Sequence, residues 1–342
     1  MIYCIGEIDM SIVQCSYEQE QDYIYISDEY TNNILSLAGY KDISEDNYDC
    51  ILEKDIFRKY QREYALKSAK NAFLYSRDVI RGRFVEAEKI IATDCIHSYR
   101  YANYVCCGRF ELGEAAISTD SSLSVAYAMY VIRSRFKMAE PTIAKNYKDS
   151  YQYARDVLKG RFELSEQTIA TDAECAYLYA RDILKGRFEL GEADIATNAE
   201  YSFLYARDVV KGRFEIGEHT ISKSAESSYY YARAALNCRF ELGEPAIATD
   251  AHYSFLYASG LRGTFELGEQ AIATDASISF RYARDILKGR FELGEQVIAE
   301  DSYCSYLYAR DILNGRFELG ENAIMDSLKH KKLYLELIGD SI

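Results

Sequence analysis

The sequence contains no tryptophan, only two prolines and only four histidines among its 342 residues. Because proline cannot continue a helix, its scarcity favours a helical protein over a loop-rich β-sandwich. No apolar run approaches the ~20 residues of a membrane-spanning helix, and the first residues lack the pattern of a signal peptide. With 49% apolar and 27% charged residues, we expect a folded, soluble, cytoplasmic protein that does not bind membranes.

Motifs of known chemistry are also missing from the sequence. The nine cysteines form no Cys-x-x-Cys pair, which is typical of reduced thiols in the cytoplasm. The histidines have no metal-ligand spacing, and there is no phosphate-binding glycine loop or nucleophile elbow. We therefore predict that the protein is not an enzyme and has no catalytic residue, no cofactor and no metal site.

The sequence does contain an internal repeat that covers residues 75–327. One repeat runs YARDILKGRFELGEADIATNAEYSFL from Tyr179 to Leu204, and we number its 26 positions from that tyrosine. A fixed period of this length predicts a solenoid. The phenylalanines at position 10 lie 26 residues apart, with one 25-residue step, and are Phe84, Phe110, Phe136, Phe162, Phe188, Phe214, Phe240, Phe265, Phe291 and Phe317.

Each repeat is predicted to form a long and a short helix. The long helix is expected to begin near position 20, where Thr171–Glu174 has the spacing of a capping box with Thr171 as the cap. Its expected end is position 8, which is glycine in eight repeats and would adopt the left-handed conformation. Positions 12 to 18 are expected to form the short helix, because Pro141 and Pro245 at position 15 suit a first helical turn.

These patterns predict an all-α fold, an α-solenoid of about ten two-helix repeats. Residues 1–50 form an acidic N-terminal segment, and the alternation around Tyr23 favours a short strand there. Residues 51–74 are predicted to be an N-terminal helical cap, residues 75–327 the solenoid, and residues 328–342 a C-terminal capping helix.

The repeat resembles one found in uncharacterised tailed-phage proteins. The resemblance lies in Tyr-Ala-Arg-Asp at Tyr179–Asp182, Lys-Gly-Arg-Phe at Lys185–Phe188 and Glu-x-x-Ile-Ala-Thr-Asp at Glu166–Asp172. More distantly, the two-helix units are similar to HEAT-like and leucine-rich-variant solenoids, which implies a binding scaffold. The resemblance implies a viral protein in the host cell cytoplasm, and it assigns no activity and no site residue.

Three repeat positions hardly vary, and we interpret them as structural. Position 14 is always glutamate and position 9 is arginine in nine repeats, so we expect a recurring Arg–Glu bridge rather than ten catalytic carboxylates. Position 1 is always tyrosine, and we expect its ring in the core with its hydroxyl at the rim or paired to a side chain.

Two other sets of positions are candidates for binding a partner. Arginine at position 3 and lysine at position 7 are four residues apart and would share a basic helix face. Positions 22, 23 and 26 vary on the outer side of the long helix, which indicates either neutral variation or a partner-reading surface. The candidate residues are Arg155, Lys159, Arg181, Lys185, Tyr201, Leu204, Arg207, Lys211, Tyr230, His252, Tyr253, Leu256, Arg284 and Lys288.

The sequence predicts a non-catalytic scaffold that binds a macromolecule, namely a protein, as a phage-encoded inhibitor or modulator of a host defence factor. The net charge of −14 suggests an alternative, because residues 1–50 hold eleven carboxylates and one lysine. This alternative is an acidic nucleic-acid mimic acting through residues 1–50. A further alternative is a nucleic-acid binder that uses the repeated Arg/Lys face.

Overall fold

The computed structural model describes residues 23–24 and 52–339. The chain divides into two compact units, Met1–Leu158 and Lys159–Ile342, and each is considered by itself. Apart from residues 23–24, the acidic segment 1–50 lies outside the described residues. The nucleic-acid mimicry predicted for this segment therefore stays a prediction. The fold is all-α and built from stacked pairs of helices, which confirms the predicted α-solenoid.

The long helix of each repeat begins one residue later than predicted. In the repeat with helix Ala173–Tyr179, the carboxylate of Asp172 accepts a hydrogen bond from the Cys175 amide at 2.9 Å. The Thr171 hydroxyl instead donates back to the Thr168 carbonyl. The predicted threonine cap is wrong because the backbone becomes extended at Asp172, whose carboxylate therefore lies over the open N–H groups.

The end of the long helix also differs from the prediction. After Ala173–Tyr179 the chain widens into a π-helical turn, Ala180–Leu184, and Lys185 at position 7 adopts the left-handed conformation with φ 52°. In the wider turn the amides of Lys185 and Gly186 both reach the carbonyl of Ala180, so the chain reverses at position 7. The predicted left-handed glycine at position 8 is therefore wrong. Residues with positive φ at the repeat turns are Arg81, Cys107, Arg133, Lys159, Lys185, Lys211, Asn237, Arg262, Lys288 and Asn314.

Comparison with the one repeat of 25 residues shows which residue forms the π-helical turn in the other repeats. Its long helix, Ala251–Leu261, is α-helical throughout, and the amide of Gly263 reaches back five residues to the carbonyl of Ala258. In the other repeats the corresponding amide reaches back six residues, as Gly186 does to Ala180. A π turn inserts one residue into an α-helix. The 25-residue repeat therefore lacks the residue that forms this turn.

The short helix is a 3₁₀ turn at positions 11–13 followed by one α-helical turn. Both prolines lie in the first turn of this α-helical part, as predicted. Gly191 at position 13 has a negative φ, and a Cβ atom there would lie 2.7 Å from the Cβ of Ala176. Position 13 is therefore small because two helices approach closely, which confirms the sequence interpretation.

The first unit contains four repeats or parts of repeats. An antiparallel pair, Tyr23–Ile24 with Leu52–Glu53, precedes helix Lys54–Ala65, so the cap helix begins after residue 53 rather than at residue 51. The long helices are Ala69–Leu74 with Tyr75–Ile80, Cys95–Tyr101 with Ala102–Cys106, Ser121–Ala126 with Tyr127–Val131, and Tyr147–Gln152 with Tyr153–Leu158. The short ones are Val85–Ala87 with Glu88–Ile91, Glu111–Gly113 with Glu114–Ile117, and Lys137–Ala139 with Glu140–Ile143.

The second unit continues the same alternation. Its long helices are Ala173–Tyr179 with Ala180–Leu184, Ala199–Tyr205 with Ala206–Val210, Ala225–Tyr230 with Tyr231–Leu236, Ala251–Leu261, Ala276–Tyr282 with Ala283–Leu287, and Ser302–Tyr308 with Ala309–Leu313. Its short ones are Glu163–Ser165 with Glu166–Ile169, Glu189–Gly191 with Glu192–Ile195, Glu215–Ile221, Glu241–Gly243 with Glu244–Ile247, Glu266–Gly268 with Glu269–Ile272, Glu292–Gly294 with Glu295–Glu300, and Glu318–Gly320 with Glu321–Asp326. The predicted closing helix is Leu328–Ile338.

The residues of the hydrophobic core recur at the same positions in each repeat. Phenylalanine at position 10 and isoleucine at position 17 are buried in every repeat, as the sequence predicts. The serine at position 24 donates to the carbonyl at position 17, as Ser202 does to Ile195 at 2.9 Å. Apolar burial supplies most of the stabilisation of such a core, and this hydrogen bond satisfies the serine hydroxyl that the close helix packing buries.

Candidate protein-binding surfaces

The glutamate at position 14 belongs to a buried network. In one copy, Arg187 donates two hydrogen bonds to the carboxylate of Glu192, both at 2.7 Å. The hydroxyl of Tyr205, from the next repeat, donates to the same carboxylate at 2.7 Å and accepts the amide of Phe188 at 2.8 Å. Hydrogen bonding by Arg187 lowers the pKa of Glu192, and burial raises that of Tyr205. The predicted Arg–Glu bridge and the paired tyrosine are confirmed.

The same network recurs along the chain with one exception. Thr264 replaces the arginine in the 25-residue repeat, so Glu269 accepts a hydrogen bond from Tyr282 and pairs with no arginine at position 9. Tyr334, in the closing helix, completes a further copy of this network. The sequence analysis did not predict this copy, although Tyr334 lies 26 residues after Tyr308. The arginine-paired glutamates are Glu88, Glu114, Glu140, Glu166, Glu192, Glu218, Glu244, Glu295 and Glu321.

The candidate arginines at position 3 are already paired with neighbouring aspartates, so they do not form a stripe of unpaired basic groups. Arg181 donates two hydrogen bonds to the neighbouring Asp182, at 2.6 and 3.0 Å. Its guanidinium also lies over the ring of Tyr177, 5.0 Å from the centroid. The other candidate arginines at this position make the same paired and stacked contacts, and they are Arg155, Arg207 and Arg284. An adjacent carboxylate that accepts hydrogen bonds from two guanidinium nitrogens competes with a phosphate for the same donors.

The lysines at position 7 do not share a helix face with these arginines. The prediction that they do is wrong because position 7 is the left-handed residue, at which the helix has already ended. Their side chains are exposed at the turn. The lysines concerned are Lys159, Lys185, Lys211 and Lys288.

The variable outer positions form a layer of side chains between consecutive long helices. Tyr201 and Tyr253 at position 23 and Leu204 and Leu256 at position 26 are half-buried. His252 is exposed, with its ring 5.4 Å from that of Tyr253. This layer brings the predicted tyrosines and leucines to one side of the long helices.

One groove opens in that layer, between helices Ala199–Tyr205 and Ala225–Tyr230. It encloses about 520 Å³. Of the predicted residues, the groove brings together Leu204, Arg207 and Tyr230. The other lining side chains that matter chemically are those of Glu200, Phe203, Glu226 and Ser227.

A second surface was missed by the sequence interpretation. A large apolar residue at position 12 is 45% to 60% exposed in nine repeats. The signal was present, because position 12 is two residues from the buried phenylalanine at position 10 and therefore faces away from the core. These residues, which we call the apolar ridge, are Leu112 and Met138 in the first unit and Leu164, Leu190, Ile216, Leu242, Leu267, Leu293 and Leu319 in the second.

A row of exposed carboxylates borders the ridge in the second unit. Position 11 is glutamate in each repeat there, and none of these side chains makes a hydrogen bond or ion pair with another described residue. They differ in this from the glutamates at position 14, whose oxygens are occupied. The ridge glutamates are Glu163, Glu189, Glu215, Glu241, Glu266, Glu292 and Glu318.

The fold and these surfaces define an all-α tandem-repeat solenoid. Comparison of the chain with family models, with curated proteins and with solved structures finds no match. Within residues 23–24 and 52–339, no helix has the length and apolarity needed to cross a membrane. The same residues contain no cluster of histidine, cysteine, aspartate or glutamate that could hold a metal ion, and the six described cysteines are free.

Proposed function

We propose that this protein is a repeat scaffold that binds another protein through the apolar ridge of its second unit. The observation that carries the proposal is the exposure of a large apolar side chain at the same point of every repeat there. Single exposed apolar residues are ordinary on a protein surface, whereas an exposed apolar side chain at the same position of every repeat is a regular feature of the surface. Extended repeat faces are suited to binding other proteins.

The chemistry of the ridge favours a protein partner over a nucleic acid. The glutamate carboxylates beside the ridge repel a phosphate backbone, and the leucine side chains offer it no hydrogen-bond donor. A partner that carries apolar side chains flanked by lysine or arginine would complement both the leucines and the glutamates at position 11. The best-placed basic groups, at position 3, already bind the aspartates at position 4.

The proposal is tested with two matched triple variants of the full-length protein. One replaces Leu190, Leu242 and Leu293 on the ridge with serine. The control replaces Lys185, Lys211 and Lys288, which are exposed residues at position 7, with serine. Each protein and the wild type are used to capture partners from a host lysate, and the captured proteins are quantified by mass spectrometry.

We expect a partner that is retained by the wild type and the lysine variant and lost from the leucine variant. The retained protein should dissociate faster as salt is raised, because the glutamates contribute attraction that salt screens. Equal retention by all three proteins contradicts a role for the ridge, and selective loss from the lysine variant would favour the basic surface instead. The action of such a partner in host defence stays a prediction that rests on the phage resemblance.

A further inference from the structure

An arginine at position 3 is paired with an aspartate at position 4 in six repeats. The pairs are those of Arg77, Arg155, Arg181, Arg207, Arg284 and Arg310. Arg233 also stands at position 3, but Ala234 follows it in place of the aspartate. Its side chain is exposed and makes no hydrogen bond or ion pair with any residue in the described part of the chain.

Beside Arg181, a second carboxylate comes from the next long helix. The hydroxyl of Tyr177 accepts a hydrogen bond from Arg181 at 2.9 Å and donates one to the carboxylate of Asp208 at 2.7 Å. Two repeats further along, the residues that correspond to this tyrosine, this arginine and the two aspartates are Tyr229, Arg233, Ala234 and Gly260. The phenol and the guanidinium are therefore kept there, while both carboxylates are missing.

A small open pocket lies where the carboxylates are missing. It encloses about 70 Å³, and Tyr229, Arg233 and Gly260 are among the residues that line it. A Cβ atom added at Gly260 would lie 3.9 Å from Nη1 of Arg233, so a side chain at that position would extend toward the guanidinium. Since a single water needs about 10–15 Å³, the pocket has room for a small polar group.

The side chains of this pocket suit a carboxylate. Among the described residues, no aspartate or glutamate lines it, and Asn237 adds an exposed amide beside the guanidinium. The hydroxyl of Tyr229, like the guanidinium of Arg233, makes no hydrogen bond with another described residue. An unpaired guanidinium binds a carboxylate through two parallel hydrogen bonds, and a phenol can donate a third.

We propose that this pocket binds a carboxylate of the protein partner, namely the side chain of an aspartate or a glutamate. Its oxygens would accept two hydrogen bonds from the guanidinium of Arg233 and one from the hydroxyl of Tyr229. The occupant is inferred from the corresponding place at Arg181, where carboxylates of the chain itself make these contacts. This inference rests on the proposed function in one respect, namely that the partner is a protein.

The inference is tested first with propionate, which is the glutamate side chain alone, and with propionamide, its uncharged counterpart of the same shape. Binding to the full-length protein is followed by NMR chemical-shift changes as each compound is titrated. We expect saturable binding of propionate that shifts the amides of residues 229–238 and 259–261. Propionamide should bind about tenfold more weakly, because hydrogen bonds between two charged groups are stronger than those to a neutral amide.

Three variants assign the binding to the pocket. Ala234→Asp supplies the aspartate that pairs with the arginine in other repeats, and it should abolish binding of propionate. Arg233→Gln should weaken propionate about tenfold and leave propionamide unchanged. Arg133→Gln is the control, because Arg133 is exposed, has no partner among the described residues and lies outside the pocket lining. If Ala234→Asp fails to fold, as judged by its circular dichroism, the two arginine variants decide.

The partner captured through the ridge then tests whether the pocket serves that protein. The dissociation constant of the purified partner is measured for the wild type, Ala234→Asp and Arg133→Gln. The last two substitutions change the net charge by the same amount, so they separate a local contact from general repulsion. We expect the dissociation constant to rise about tenfold for Ala234→Asp and to stay unchanged for Arg133→Gln.

Three results would overturn the inference. They are equal affinity for propionate and propionamide, unchanged propionate binding to Arg233→Gln, and unchanged partner affinity of Ala234→Asp. None of them bears on the ridge, because the titration of propionate needs no partner and the leucine variant keeps the pocket intact. A pocket that fails while the leucine variant still loses its partner therefore leaves the proposed function standing.

Discussion

The hydroxyl of Tyr205 donates a hydrogen bond to the buried carboxylate of Glu192, at 2.7 Å, from the beginning of the next repeat. The same hydroxyl accepts the amide of Phe188, so one oxygen satisfies two groups of the preceding repeat. Since a buried carboxylate or amide without a partner is costly, this contact makes each short helix depend on the long helix that follows it.

Replacement of Tyr205 by phenylalanine should destabilise the protein. The ring stays in the core, but the Phe188 amide loses its acceptor and Glu192 loses one donor, which costs about 1–3 kcal/mol. The free energy of unfolding is measured by urea denaturation monitored by circular dichroism. Tyr303→Phe is the control, because Tyr303 is 53% exposed. An equal effect of the two variants would contradict the role of the hydroxyl.

The buried glutamates should make stability fall in acid. Hydrogen bonding by Arg187 holds the pKa of Glu192 below its ordinary value of 4.5, so the charged carboxylate stabilises the folded state above that pH. This stabilisation is lost as the pH falls from about 4.5 through the lower folded pKa. The unfolding free energy of the wild type should therefore decline more steeply in this window than that of Arg187→Gln, and parallel curves would argue against the pairing.

The left-handed residue can be located by a pair of glycine substitutions. Lys211→Gly removes the Cβ atom at a position with φ 56° and should stabilise the protein by up to about 1 kcal/mol. Gly212→Ala should be tolerated or slightly stabilising, because φ there is not positive and no atom lies within 4 Å of the added Cβ. The thermal unfolding of the two variants is compared with that of the wild type. Destabilisation by Gly212→Ala without stabilisation by Lys211→Gly would place the left-handed residue at position 8.

Most of the fold followed from the spacing of side chains. The buried phenylalanine and isoleucine, the paired tyrosine and the Arg–Glu bridge were all predicted because each must recur where repeats stack. The π-helical turn was not predictable in the same way. The presence of Gly186 suggested an ordinary glycine stop, whereas the extra residue of the turn moves the reversal to Lys185.

The candidate surfaces were only partly predictable. Tyr201, Leu204 and Tyr253 were chosen as candidates because they vary on an otherwise regular background, and the structure places them half-buried between consecutive long helices. The groove lined by Leu204 and Tyr230 was not predicted, because its shape depends on how the side chains of two consecutive repeats pack together. The ridge leucines were not predicted, although the place of Leu190 two residues after the buried Phe188 indicates that it faces away from the core.

The dissociation constant of the captured partner, measured for proteins with one, two and three ridge leucines replaced, tests the central claim most directly. Leu190, Leu242 and Leu293 are replaced by serine in turn, and binding is measured by calorimetry with the purified partner. If the partner lies along the ridge, each replacement weakens binding further, by about 1 kcal/mol or severalfold per leucine. An affinity that stays unchanged through all three replacements would contradict the ridge as the binding surface.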